Sequence, residues 1–226
     1  MKIIGFDFSI EKPACCIYDG NTYEFRSWAW NLSPRLKAIY LNAGVNVYER
    51  NETKLKNLES SEKMQHDVKR GILLAEMIAN SFTEEELTND PDTWIVWEGL
   101  SFGSSGNVVV QLGGFKYLVM DRLNSKVEIE HQITYAPTTI KKTAGCSKKI
   151  TDPITGKKKS QGKPEMIQAF IDTKVDIPLR HAMELSRDDF RKKGDKNWID
   201  HLDDLVDSYW LVQTFIEKEF DPLFGN

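Results

Sequence analysis

Three places in this chain of 226 residues put carboxylates where their neighbours leave them little reason to be. Asp7 stands inside KIIGFDFS, a run that otherwise alternates like a strand. An acid there must lie exposed at an edge, be hydrogen-bonded, or hold a cation, because burying a bare carboxylate is costly. Glu98 closes the apolar run TWIVWEG, where a glutamate can equally be the solvated end of a strand. Near the C-terminus, at about 100° per residue, Asp200, Asp204 and Asp207 share one helical stripe. Leu202, Leu205, Val206, Tyr209 and Ile216 lie opposite, so a plain amphipathic helix with a solvated acidic face gives the same pattern. Asp203 lies beside the stripe and is expected at most to support its neighbours. Crowding argues for more, since like charges within two turns repel unless a cation gathers them. Magnesium takes oxygen ligands and keeps several waters, so carboxylates from separate elements suit it. Two such ions about 4 Å apart would assist in-line hydrolysis of a phosphodiester without a nucleophilic side chain.

The elements that must position these acids follow from periodicity. KIIGFDFS, ACCIYDG and TYEFRSWAW read as three antiparallel strands, with Asp19-Gly20 as a hairpin turn. Residues 31–60 are polar and irregular and read as an insertion. Met64, Val68, Ile72, Ala75, Met77 and Ile78 have mainly helical spacing, and TWIVWEG is a buried strand. NVVVQLGGFKYLVMDRL reads as a helix packed closely through Gly113-Gly114, and VEIEHQITYAP as a strand ending at Pro137. PTTIKKTAG, KPEMIQAFIDT and NWIDHLDDLVDSYWLVQTFIEKEF are the remaining helices, the last two separated by a polar stretch to about Lys196. The result is an α/β chain with a five-stranded mixed sheet, its first three strands antiparallel, flanked by helices in one domain spanning 1–226.

Charge is unevenly spread. The net formal charge is −4, but Lys141–Lys163 holds eight lysines against the single acid Asp152, so this segment carries about +7 and the rest about −11. Lys141, Lys142, Lys148, Lys149, Lys157, Lys158, Lys159 and Lys163 suit the phosphates of a polyanion, although a solvated loop is the simpler alternative. The turn-forming ITDPITGKKKSQG within it is expected to be mobile without DNA. Three cysteines, two of them adjacent, form neither a disulfide framework nor a zinc pattern, and with no signal peptide or long apolar span the expected place is the cytoplasm. No G-x-x-x-x-G-K-[ST] run is present, which excludes nucleotide hydrolysis by that route. An actin-like ATPase would need a second related domain and a second glycine-rich phosphate loop, and neither is found. Of the four histidines only His201 falls near the acids, where it is either a proton shuttle or a cap on one face.

GFDFS, IVWEG and DDLVDSYWL, taken in this order, resemble the motifs of RuvC-type Holliday-junction resolvases. APTTIKKTAG and GKPEMIQAF are similar to the segments between them. The resemblance covers most of the chain and implies an RNase H-like fold. It implies a metal site of Asp7, Glu98, Asp204 and Asp207 holding one or two Mg2+ ions, with Mn2+ substituting. It further implies a homodimer that nicks branched DNA in recombination and repair, with no membrane partner. In such proteins an aromatic near the glutamate stacks on a base at the opened junction, which makes Phe102 the candidate; a loop aromatic packed on the core is the alternative. Departures from the pattern are the insertion at 31–60, the enlarged basic loop at 146–162, and Ser208 in place of the usual alanine after the last acid. An inserted version of the family fits a viral genome as well as a bacterial one. A less specific branched or flap nuclease, and a non-catalytic DNA-binding module, are the alternatives.

Overall fold

A computed structural model describes residues 1–52, 59–88, 92–100, 106–127, 129–151, 156, 158–192 and 197–220. Strands β1 (Lys2–Asp7), β2 (Ala14–Tyr18) and β3 (Tyr23–Trp30) form the expected antiparallel meander. Beyond them α1 (Pro34–Asn42) leads into β4 (Val45–Arg50), which pairs parallel with β3. Helix α2 (Ser60–Asn80) and the short α3 (Glu84–Thr88) precede β5 (Thr93–Glu98), parallel to β1. Then come α4 (Gly106–Asn124), β6 (Gln132–Tyr135) parallel to β5, and α5 (Pro137–Thr143). A small hairpin of β7 (Lys149–Thr151) and β8 (Lys158–Ser160) precedes α6 (Lys163–Ile171), α7 (Pro178–Leu185) and α8 (Leu202–Phe215). The main sheet runs β4-β3-β2-β1-β5-β6, an RNase H-like order with an added edge strand.

The sheet therefore has six strands where five were expected, and the polar segment 31–60 is partly regular. Ser33 caps α1 by accepting a hydrogen bond from the Leu36 amide, and Pro34 occupies the first turn, where its missing N–H is no loss. Gly44, at φ 76°, turns the chain from α1 into β4. The segment expected to be a mobile loop pairs as the β7–β8 hairpin, and α7 stands in the stretch read as merely polar.

Strand alternation decides which side chains meet. In β1, Ile3 belongs to the core under α8 while Ile4 and Phe6 belong to the core under α2 and α4. In β5, Val96 packs on the α8 side, and Ile95 and Trp97 on the other. Period two then sends Asp7 and Glu98 to the α8 face, at the carboxyl ends of adjacent parallel strands. Helix α8 lies against β1, β2 and β5, and almost all of it is buried.

Gly5 is what lets α8 come this close. A Cβ there would lie 2.4 Å from the Ser208 carbonyl oxygen, a backbone atom that cannot swing away. Gly5→Ala is expected to cost about 3 kcal/mol by overpacking. That corresponds to a fall of roughly 10 °C in a thermal melt, and an unchanged melting temperature would refute the close contact. On the opposite face the close approach between helices is made by Gly71, where a Cβ would meet the Phe115 ring at 2.5 Å. Gly113 and Gly114, expected to serve this purpose, have only Leu100 near the first and nothing near the second.

Candidate active site

Asp7, Glu98, Asp204 and Asp207 line one cavity of about 290 Å³, where the carboxyl ends of β1 and β5 meet the start of α8. Asp7 and Asp207 are buried at 5% and 8% exposure, which rules out both a sheet-edge location for the first and a solvated helix face for the second. Burial, followed by the charges of Asp204, Asp207 and Glu98, holds the Asp7 carboxyl well above its ordinary range. Burial, and then Asp203, pushes Asp204 up to about 7, while Asp7 shares a hydrogen bond with it. Burial likewise pushes Asp207 up to about 8 against the pull of Lys163. Three carboxyls that resist ionisation in one cavity are a site waiting for positive charge.

Part of that charge is built in. The Lys163 ammonium, from the first residue of α6, lies 2.6 Å from Asp203 Oδ2, 3.8 Å from Asp204 Oδ1 and 4.0 Å from Asp207 Oδ2. Lys163 was expected on a DNA-binding loop, but it serves as a tethered counter-cation whose own pKa is raised by these acids against its burial. Asp203, taken as at most supporting, is its nearest partner. Among the described residues no group of three or more His, Cys, Asp or Glu side chains is drawn in tightly enough to enclose a metal ion in this arrangement. The donor set nevertheless fits one. Four carboxylates from three separate elements face a single cavity and repel one another, the chemistry that a hard divalent ion satisfies.

Asp200 does not join the stripe on which the helical wheel placed it. His201 takes a left-handed backbone, φ 74°, and α8 starts only at Leu202. Asp200 therefore sits outside the helix, 2.9 Å from Lys192 and 3.9 Å from Lys12, and its carbonyl accepts from the Tyr40 hydroxyl. The His201 ring is buried, with no hydrogen-bond partner on either nitrogen among the described residues, and burial holds its pKa down to about 3. A ring that stays neutral this far down suits a packing role better than proton transfer.

Lys116 escaped the sequence reading. Its signal was a lysine on the stripe of α4 that otherwise buries Phe115, Val119 and Leu123. Its Nζ donates to the Glu98 carbonyl oxygen at 2.7 Å and stands 5.6 Å over the Trp97 ring. Burial lowers its pKa to about 8, with Glu98 opposing the shift. Lys141, in the last turn of α5, also lines the acid cavity. Lys142, Lys148, Lys149 and Lys158 are exposed along the end of α5 and the hairpin. The side chain of Lys159, together with Lys157 and Phe102, lies outside the described residues.

No family model and no curated protein matches this sequence. Among solved structures the chain is similar to one described as T. thermophilus RuvC in complex with Holliday junction substrate. The identity is 10% and the TM-score 0.47, over 97% of this chain and 96% of that one. It is also similar to a second Thermus thermophilus RuvC structure, with 12% identity and TM-score 0.44 over 96% of both chains. The sheet order and the helices on both faces make this an α/β domain of the RNase H-like class. No helix among the described residues is long and apolar enough to cross a membrane.

Proposed function

We propose that this chain is a divalent-metal-dependent endonuclease that hydrolyses phosphodiester bonds in branched DNA, with the four-way junction as its preferred substrate. The observation that carries the reading is the convergence of four largely buried carboxylates, from β1, β5 and α8, in a cavity ringed by Lys116, Lys141 and Lys163. A structural role would not keep this arrangement, since unpaired acids held together below the surface cost stability. Asp7, Glu98, Asp204 and Asp207 would hold Mg2+ or Mn2+, which when bound supplies Lewis acidity and a water of lowered pKa. The lysines at the rim would receive the phosphate's negative charge, and those exposed along α5 and the hairpin would contact the phosphates of a DNA arm. A two-fold substrate favours a homodimer, each protomer cutting one strand. A non-catalytic module of the same fold would have no use for the acids.

The test is cleavage of a labelled four-way junction, with linear duplex and flap controls, in magnesium and in EDTA, by the wild type and Asp7→Asn. Paired symmetric nicks, lost in EDTA and in the variant, are expected. Equal cutting of all branched substrates would remove the junction preference. Undiminished cutting by Asp7→Asn would remove the metal site.

A further inference from the structure

Beside the acid cavity lies a second, larger cleft of about 580 Å³ between α4 and the β6–α5 corner. The two share Gly99, Leu100, Lys116 and Pro137, so whatever enters one passes the other. The cleft is built differently from its neighbour. Leu100, Met120 and Pro137 give it apolar walls, and Tyr117 stands at 65% exposure with its ring uncovered. Thr134 and Thr138 add exposed hydroxyls that have no hydrogen-bond partner among the described residues. No carboxylate lines it.

We infer that this cleft is a subsite for an unpaired nucleobase, the one attached to the nucleotide next to the phosphate held at the acids. The inference rests on the nuclease reading of the adjoining site. A base offers two apolar faces and a polar edge, which an aromatic ring, aliphatic walls and a pair of hydroxyls complement. The Lys116 ammonium stands at the threshold between the cavities, where the nucleotide's phosphate would pass. A base within a duplex has both faces stacked and its edge paired, so only a base freed at a branch point can enter. Tyr117 thereby becomes a positioning residue, holding the nucleotide while the acids act on its phosphate.

The experiment pairs removal of the ring with removal of the base. Junctions carrying one abasic nucleotide, placed in turn around the crossover, are bound to Asp7→Asn and to Asp7→Asn/Tyr117→Ala, and cut with the wild type and Tyr117→Ala. With the intact junction, Tyr117→Ala is expected to weaken binding and kcat/KM roughly tenfold, in the range of one lost base stack. At one abasic position that penalty should vanish, and Tyr117→Phe should behave as the wild type. The tyrosine is exposed, so the alanine variant keeps its fold, which a thermal melt checks. Cutting by the wild type with a Tyr117→Ala penalty that is absent, or equal at every abasic position, would overturn the subsite alone. Coupling at one position in binding, with no cutting by the wild type, would overturn the nuclease reading and leave the subsite standing.

Discussion

Asp207→Asn is expected to yield a protein that cuts no junction and yet melts higher than the wild type in alkaline buffer. The two effects share one cause. Asp207 is buried, and its pKa is pushed up to about 8 by burial, with Glu98, Asp203 and Asp204 adding to the shift against Lys163. Between about pH 4, where the unfolded chain releases this proton, and pH 8, the folded state binds more protons than the unfolded one. Stability therefore falls as pH rises through that window and stays low above it. Asparagine carries no such proton, so variant and wild type should melt together near pH 4 and diverge towards pH 9. With strong coupling among the acids, the gain is put at roughly 2 kcal/mol, or about 5 °C. Loss of one carboxylate ligand should meanwhile lower metal-dependent cutting on the order of a thousandfold, about 4 kcal/mol of transition-state stabilisation. Melting curves from pH 4 to 9 beside junction cleavage check both halves. A variant less stable than the wild type at pH 9 would mean that the carboxylate is structural.

Asp7 and Glu98 were legible because strand alternation is local. Once KIIGFD and TWIVWE are strands, their closing acids must point to the faces of Ile3 and Val96, whichever helix covers them. The wheel on the last helix worked for Asp204 and Asp207 but failed for Asp200, because no pattern in the sequence announced that His201 would adopt a left-handed backbone and delay the helix start. The solvated-face alternative for that helix was decided by packing, since what buries Asp207 is contributed by β1, β5 and α6, far away in sequence. The added strand β4 was missed although Ser33-Pro34 and Gly44 carry ordinary start and stop signals for a helix. Only pairing with β3 makes the weakly apolar VNVYER a strand. The hairpin was hidden in the same way by its lysines, which obscure alternation in strands of three residues. Lys116 marks the remaining limit. A lone lysine on a buried stripe signals a special role, but its place beside Glu98 depends on how α4 crosses β5.

The second large effect concerns the cation that the acids call for. Millimolar magnesium is expected to raise the melting temperature of the wild type well beyond what sodium chloride of equal ionic strength does, and to raise it more at pH 8 than at pH 6. Ligands that bind only the folded state stabilise it by mass action, about 2.7 kcal/mol at a hundred times Kd, or roughly 5 to 10 °C for a chain of this size. The pH dependence has a definite sign. Asp204 and Asp207, pushed up to about 7 and about 8, still hold protons at pH 6 that a metal must displace, whereas at pH 8 much of that cost is gone. Lys163 competes for the same oxygens through a half-exposed ammonium. Lys163→Met should therefore bind magnesium more tightly while losing some metal-free stability, about 1 kcal/mol for a pair this open to water. Asp7→Asn, with one ligand fewer, should lose most of the magnesium-induced shift. If instead Asp7→Asn kept the whole shift, or Lys163→Met weakened magnesium binding, the ion would be held elsewhere, and the crowded acids would have to be explained by the Lys163 ammonium alone.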